Sequence, residues 1–206
     1  MTCEPTTTDR LDLHPAAEEV ARLVAGVRDD QLGGTTPCPD YPVAGMLDHL
    51  MGLCIAFTHA ARKEPMPTDG GGESGPGAAT ADRLDPAWRD QLPVRLQALA
   101  DAWDDPAAWE GEATAGGVTM PAGAMGAVAL DEVAVHGWDL ARATGQDYRL
   151  DDATVQAVLA FTTESATPEN APMRAGIFGP VVEVPFEAPS WDRAIGLAGR
   201  DPGWRP

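Results

Sequence analysis

Apolar residues recur at three- and four-residue spacing along most of this chain, the period of helices that bury one face. From Leu13 to Leu32 the stripe is Ala17, Val20, Ala21, Val24 and Val27, with Asp12 placed to cap the helix and Gly33-Gly34 to end it. A Pro-rich approach, TTPCPDYP, leads to a second helix that starts near Pro42 with Asp40 as its expected N-cap. Its buried row is Met46, Leu47, Leu50, Leu53, Cys54 and Phe57. A third helix over 82–105 carries Trp88, Leu92, Leu96, Leu99 and Trp103, and Pro93 inside the pattern is expected to kink or split it. A short extended piece is expected at 117–120. The fourth helix then ends near Ala143, where Arg142 suits the C-terminal dipole and Gly145 provides a stop.

Beyond Gly145 the pattern weakens. Asp151 or Asp152 opens a fifth helix with Val155, Val158, Leu159 and Phe161 on its apolar side. The tail from Pro168 is mostly irregular: VVEVPF alternates enough for a short strand, and Ser190 is expected to cap a last short helix. Arg200, Asp201 and Trp204 are expected to anchor the terminus by packing, without chemistry. Residues 65–80 are dense in Gly, Pro and small polar residues and should form a flexible loop. The expectation is an all-α protein: a four-helix bundle over 1–147, then a short, mostly irregular C-terminal extension over 148–206 packed on it, with one or two short helices.

Two polar residues interrupt this pattern where it should be apolar. On the fourth helix, at about 100° per residue, Glu132 and His136 share a face with Met125, Val128, Ala129 and Ala143. Four residues apart, they are side-chain neighbours. A carboxylate on a buried stripe is costly unless paired, and a metal ion is one such partner. Spacing alone is weak support, because acids are 32 of 206 residues and one such pair among four histidines is close to an even chance. A second histidine, His49, lies at the edge of the second helix's stripe, about 40° from Leu53 and able to turn inward. A lone histidine there is more often a hydrogen-bonded core residue than a ligand. If the second and fourth helices face each other, His49, Glu132 and His136 converge as an open two-imidazole, one-carboxylate metal site. Zinc is the first expectation; nickel or ferrous iron would accept the same donors. His14 and His59 read as surface residues, and Cys54 as a small hydrophobe.

Composition narrows the partners. A net charge of −18 argues against nucleic acid and anionic membrane surfaces, which leaves small molecules or other proteins. The chain shows no basic patch followed by an apolar run, no membrane-length apolar window, and three cysteines, Cys3, Cys38 and Cys54, at unrelated spacings. A cytoplasmic protein with reduced thiols is expected, as monomer or homodimer. Arg supplies thirteen of the fourteen basic residues, a codon signature of a GC-rich bacterial genome.

Several segments together resemble a known family. Cys38-Pro39-Asp40-Tyr41 leading to Leu47-Asp48-His49-Leu50, then Asp131-Glu132 through His136-Gly137-Trp138-Asp139-Leu140-Ala141, are similar to the DinB-like metal-binding bundles. The likeness is to their actinobacterial branch, related to the N-terminal domain of mycothiol-dependent maleylpyruvate isomerase. The endings Phe178-Gly179-Pro180-Val181 and Leu197-Ala198-Gly199-Arg200-Asp201-Pro202 fit that branch too. The resemblance implies an up-down-down-up bundle and a metal triad at His49, Glu132 and His136. Asp139, about 60° round the helix from His136 on the same side, is placed to orient one of these ligands from behind. The resemblance also implies a mycothiol-like thiol as co-substrate. The separate C-terminal domain of the isomerase has no counterpart in a chain of this length, so maleylpyruvate itself does not follow.

The first functional expectation is therefore a zinc-dependent, thiol-using transferase or isomerase acting on a small electrophilic molecule. The alternatives are a hydrolase using metal-bound water, for which Asp139 is the only nearby base, and a non-catalytic small-molecule-binding protein.

Overall fold

The structure, a computed structural model, describes residues 10–66, 81–174 and 177–206. The loop expected at 65–80 falls, apart from its first two residues, outside the described residues, as does Cys3. Four long helices dominate: α1 (His14–Gly26), α2 (Val43–Arg62), α3 (Trp88–Asp104) and α4 (Ala122–Thr144). Both α1 and α2 pack against α3 and α4, so the ring runs α1, α3, α2, α4. Consecutive α1 and α2 are thus not a simple hairpin, which is the all-α, DinB-like arrangement expected.

The periodic rows fill the centre. Val20 and Leu23 of α1, Met46, Leu47 and Leu50 of α2, Leu92, Leu96 and Leu99 of α3, and Met125, Leu130 and Leu140 of α4 are all lost to solvent. Each such side chain contributes about 1.5–3 kcal/mol by burial, as an upper estimate. Among the described helices, α2 alone is long and apolar enough to cross a membrane, and most of it is buried in the bundle, which accounts for its composition.

Helix boundaries depart from expectation for identifiable reasons. α1 stops at Gly26, and a separate 3-10 turn, Asp29–Gln31, replaces its last turn. Asp12 serves that helix as expected in kind, accepting the His14 backbone N–H at 2.9 Å, although Leu13 holds the cap position. Asp40 does not cap α2. Pro42 stands there, and the Val43 and Ala44 N–H groups donate to the backbone oxygens of Gly34 and Leu32, each at 2.9 Å. The preceding loop satisfies the first turn, so no side-chain cap is required. α3 is continuous through Pro93, with Trp88 and Leu92 anchored in the core before it and Leu96 and Leu99 after it.

The extended piece before α4 is one arm of a hairpin, β1 (Glu112–Ala115) and β2 (Val118–Pro121), with Ala115 opposite Val118 and Ala113 opposite Met120. Beyond Gly145, α5 (Asp152–Ser165) packs on α4, a short α6 (Ala171–Arg174) follows, and α7 (Ser190–Leu197) packs on α5. Asp151 caps α5 by accepting the Thr154 N–H at 2.7 Å. The strand expected at 181–186 does not form. Val182 donates its N–H to the Gly196 carbonyl at 2.9 Å, so the segment lies along α7 with no strand beside it to pair with. Ser190 is the first residue of α7, and Pro189 occupies its cap.

Candidate metal centre

α2 and α4 are neighbours in the ring, and each turns one polar stretch toward the other. His49 Nε2 lies 3.3 Å from Glu132 Oε2, and His136 Nε2 lies 3.2 Å from the same oxygen. The two imidazoles meet edge to face, with ring centroids 4.8 Å apart. His49, Glu132 and His136 thus place one donor atom each within 4.8 Å of one another. Donors about 2.1 Å from a tetrahedral ion stand about 3.4 Å apart, and the 3.2 and 3.3 Å separations from Glu132 match that figure.

Exposure is graded across the cluster. The side chains of His49 and Glu132 retain 19% and 20% of their accessibility, against 9% for His136. The open side therefore belongs to the first two, and His136 is the inner anchor. Tyr41, delivered by the Pro-rich approach, stacks on His49 with centroids 4.8 Å apart and planes 19° from parallel. It meets His136 edge-on at 6.3 Å. The Tyr41 ring thus walls one side of the cluster.

Behind His136 the polar network continues inward. Its Nδ1–H donates to Asp139 Oδ2 at 3.0 Å, and Asp139 has no solvent exposure. Arg200 donates to the same carboxylate, from Nη2 to Oδ2 at 3.1 Å and from Nε to Oδ1 at 3.5 Å, while its Nη1 holds the Ala198 carbonyl at 2.8 Å. The expectation that Arg200 acts by packing alone is corrected here. It supplies the cation that makes a fully buried carboxylate tolerable. Cys38 completes this inner layer: its sulfur lies within 4.8 Å of a His136 nitrogen and an Asp139 oxygen.

The charges shift one another. Burial opposes the charged form of His136, yet its hydrogen bonds to Asp139 and Glu132 and their charges outweigh this and raise its pKa to about 9. Burial likewise opposes ionised Glu132, but hydrogen bonds from His136 and His49 hold its carboxyl well below the usual carboxylate range. Asp131 behaves in the opposite sense: burial first, then the charge of Glu132, push it well above that range. Burial pushes the Cys38 thiol up against the pull of Arg200, and pushes Cys54 up to about 12, leaving Cys54 an inert core thiol.

The remaining histidines stand apart. His14 pairs with Asp104 at 3.0 Å on the surface, and His59 lies ten residues beyond His49, 3.5 Å from Glu64. Neither joins the cluster.

Known proteins place the chain. The family model for the mycothiol maleylpyruvate isomerase N-terminal domain matches residues 13–141, more than half of the sequence. The chain belongs to this family. The matched span holds α1 to α3, α4 as far as Ala141 and the three clustered donors, and it ends before the extension that supplies Arg200. Two crystal structures of mycothiol-dependent maleylpyruvate isomerase, one of them of a His-to-Ala mutant, share the fold of this family member. Their TM-scores are 0.58 for the mutant and 0.55 for the other, at 20% identity over 76% of this chain and 69% of theirs. Uncharacterized proteins of Mycobacterium tuberculosis, from strains CDC 1551 / Oshkosh and ATCC 25618, are 29% identical over 93% of this chain and 98% of their own length.

Tyr41, Cys38 and Arg200 are the members of this centre that the sequence pattern does not assign to it. The first two sit in a segment with no periodicity, and Arg200 reaches Asp139 from 61 positions away. One local signal exists. Asp139 on a buried face of α4 requires a cation, and Arg200 is one of few basic residues in so acidic a chain.

Proposed function

We propose that this protein is a metal-dependent, thiol-using transferase or isomerase that acts on a small electrophilic molecule, with a divalent cation, zinc first, held by His49, Glu132 and His136. The observation that carries the reading is the convergence of both Nε2 atoms on one oxygen of Glu132, at 3.3 and 3.2 Å, from two different helices. Two imidazoles and one carboxylate are the donor set of open catalytic zinc sites, which keep a position for a further ligand. When bound, such an ion supplies the positive charge that lowers a thiol's pKa from about 8.5 and makes thiolate available at neutral pH. A low-molecular-weight thiol such as mycothiol is the co-substrate proposed, by analogy with the isomerase whose domain family this is.

The chain's own residues have separable tasks. Asp139 accepts the Nδ1–H of His136, which turns the Nε2 lone pair toward the donors of His49 and Glu132. Glu132 contributes negative charge that balances part of the cation's. The part-open edge at His49 and Glu132 gives a thiol and its electrophile a way in, and the Tyr41 ring gives them an apolar wall. Hydrolysis by metal-activated water is supported less well. Asp139, its one candidate base, has no solvent exposure and is already bound to His136 and Arg200.

The test is metal analysis of protein purified without chelator, beside His136→Ala, followed by thiol titration of the cobalt-substituted protein. Near-stoichiometric metal that is lost in the variant, and a cobalt spectrum that changes on adding thiol, are the expected results. A spectrum indifferent to saturating thiol would end the thiol reading, and absence of metal in both proteins would end the metal reading.

A further inference from the structure

His136 belongs to two groups of potential ligands at once. Through Nε2 it faces Glu132 and His49, and through Nδ1 it faces Asp139, with Cys38 beside both. The second group, Cys38, His136 and Asp139, is buried throughout and offers sulfur, nitrogen and oxygen within 4.8 Å. On donor chemistry it would suit a thiophilic divalent ion at least as well as the first group. An ion drawn there would take the wrong nitrogen of His136 and sit where no thiol could enter.

That inner position is already served by a cation of the protein itself. The Arg200 guanidinium holds both oxygens of Asp139, at 3.1 and 3.5 Å, and is tied in turn to the Ala198 backbone at 2.8 Å. Its charge also acts on the Cys38 thiol. Arg200 is buried and comes from the turn after α7, outside the part of the chain that the family match covers.

We propose that Arg200 is a positioning residue that stands in for a metal ion in the Cys38–His136–Asp139 group, closing it to metals and confining a divalent cation to the Nε2 side of His136. The proposal rests on the metal reading given above. A fixed guanidinium does what a bound ion would do for Asp139, neutralising it, but leaves Asp139 free to accept one hydrogen bond from Nδ1. The orientation of His136 then follows from the C-terminal extension, which makes the extension part of the metal centre and not only a cover for the bundle. Removing the positive charge leaves a buried carboxylate and a thiol beside an imidazole, which together can claim an ion.

The test uses the full chain and cobalt(II) as the probe, since sulfur ligation gives cobalt a strong near-ultraviolet charge-transfer band that nitrogen and oxygen ligation does not. Wild type should bind cobalt without that band. Arg200→Met, which keeps length and removes charge, should gain it, and Arg200→Met with Cys38→Ser should lose it again. The double variant should also bind cobalt about 10–100-fold more weakly than wild type, the usual effect of losing a partner behind a ligand. Arg200→Lys, which restores the charge, should remain without the band. A folded Arg200→Met with the wild-type spectrum and affinity would overturn the proposal, as would a sulfur band in wild type. If Arg200→Met does not fold, Arg200→Gln makes the same comparison with hydrogen-bond donors retained. Wild type that binds no cobalt at all would overturn the metal reading itself, a result distinct from the other two.

Discussion

His136 is the residue on which the cluster's electrostatics turn. Without a metal its imidazolium bridges two carboxylates, and its pKa of about 9 is a folded-state property set against 6.5 in the unfolded chain. A raised pKa stabilises the fold fully below 6.5 and loses that contribution as pH rises through about 9. Glu132 has the opposite sign: its lowered pKa stabilises above the ordinary value of 4.5 and fails as pH falls below it. The metal-free pair is therefore most stabilising between pH 4.5 and 6.5. Urea unfolding of chelator-treated protein and of His136→Gln should show a stability gap at about pH 5.5 that is clearly smaller by about pH 9.5. A gap that widens with pH would contradict the assignment. Metal binding follows from the same proton. An ion must displace the Nε2 proton, so zinc affinity should rise about tenfold per pH unit up to about pH 9 and then level off. Competition titrations with a chelating dye at several pH values measure that slope.

At the scale of elements, α4 is the demanding helix, because it carries the site on one side and is crowded on the others. Gly137 follows His136 directly, and a Cβ there would meet Val20 Cγ2 of α1 at 2.5 Å and the Tyr148 hydroxyl at 2.8 Å. That hydroxyl is committed to the Ala134 carbonyl at 2.7 Å, so it has little freedom to move. Gly137→Ala should destabilise the protein by about 1–3 kcal/mol. A methyl added at Gly52 of α2 would have nothing within 4 Å, and Gly52→Ala should stabilise by about 0.4–1 kcal/mol through the unfolded chain. Denaturant midpoints for the pair give opposite signs for one chemical change; equal signs would mean that α4 is not packed as described. The same contrast explains what is legible in the sequence. Met46 to Phe57 and Leu92 to Trp103 form long periodic rows, so their helices can be read directly. The hairpin arm EATA has almost no strand propensity and cannot. VVEVPF alternates but finds no partner, since pairing is settled by what lies beside a segment. His49, Glu132 and His136 are legible as polar intrusions on apolar faces. Arg200 is not, because a contact across 61 positions leaves no local period.

For the whole molecule the governing facts are strong negative charge and a cluster that joins two helices not consecutive in the chain. At −18 the folded chain repels itself, and any added cation will relieve some of that without occupying a site. A metal effect on stability must therefore be separated from an ionic one. An ion held at about 100 times its dissociation constant stabilises the folded state by about 2.7 kcal/mol. For a domain of this size each kcal/mol moves the melting temperature by about 2–4 °C, so zinc should raise it by about 5–10 °C over chelator-treated protein. His49→Ala and His136→Ala keep every surface carboxylate, and each removes a proposed ligand from a different helix. Both should lose most of the zinc shift while keeping the smaller shift that salt or magnesium gives the wild type. If the variants respond to zinc as fully as the wild type does, the ion is acting on the acidic surface, and His49, Glu132 and His136 are held together by their own hydrogen bonds without it.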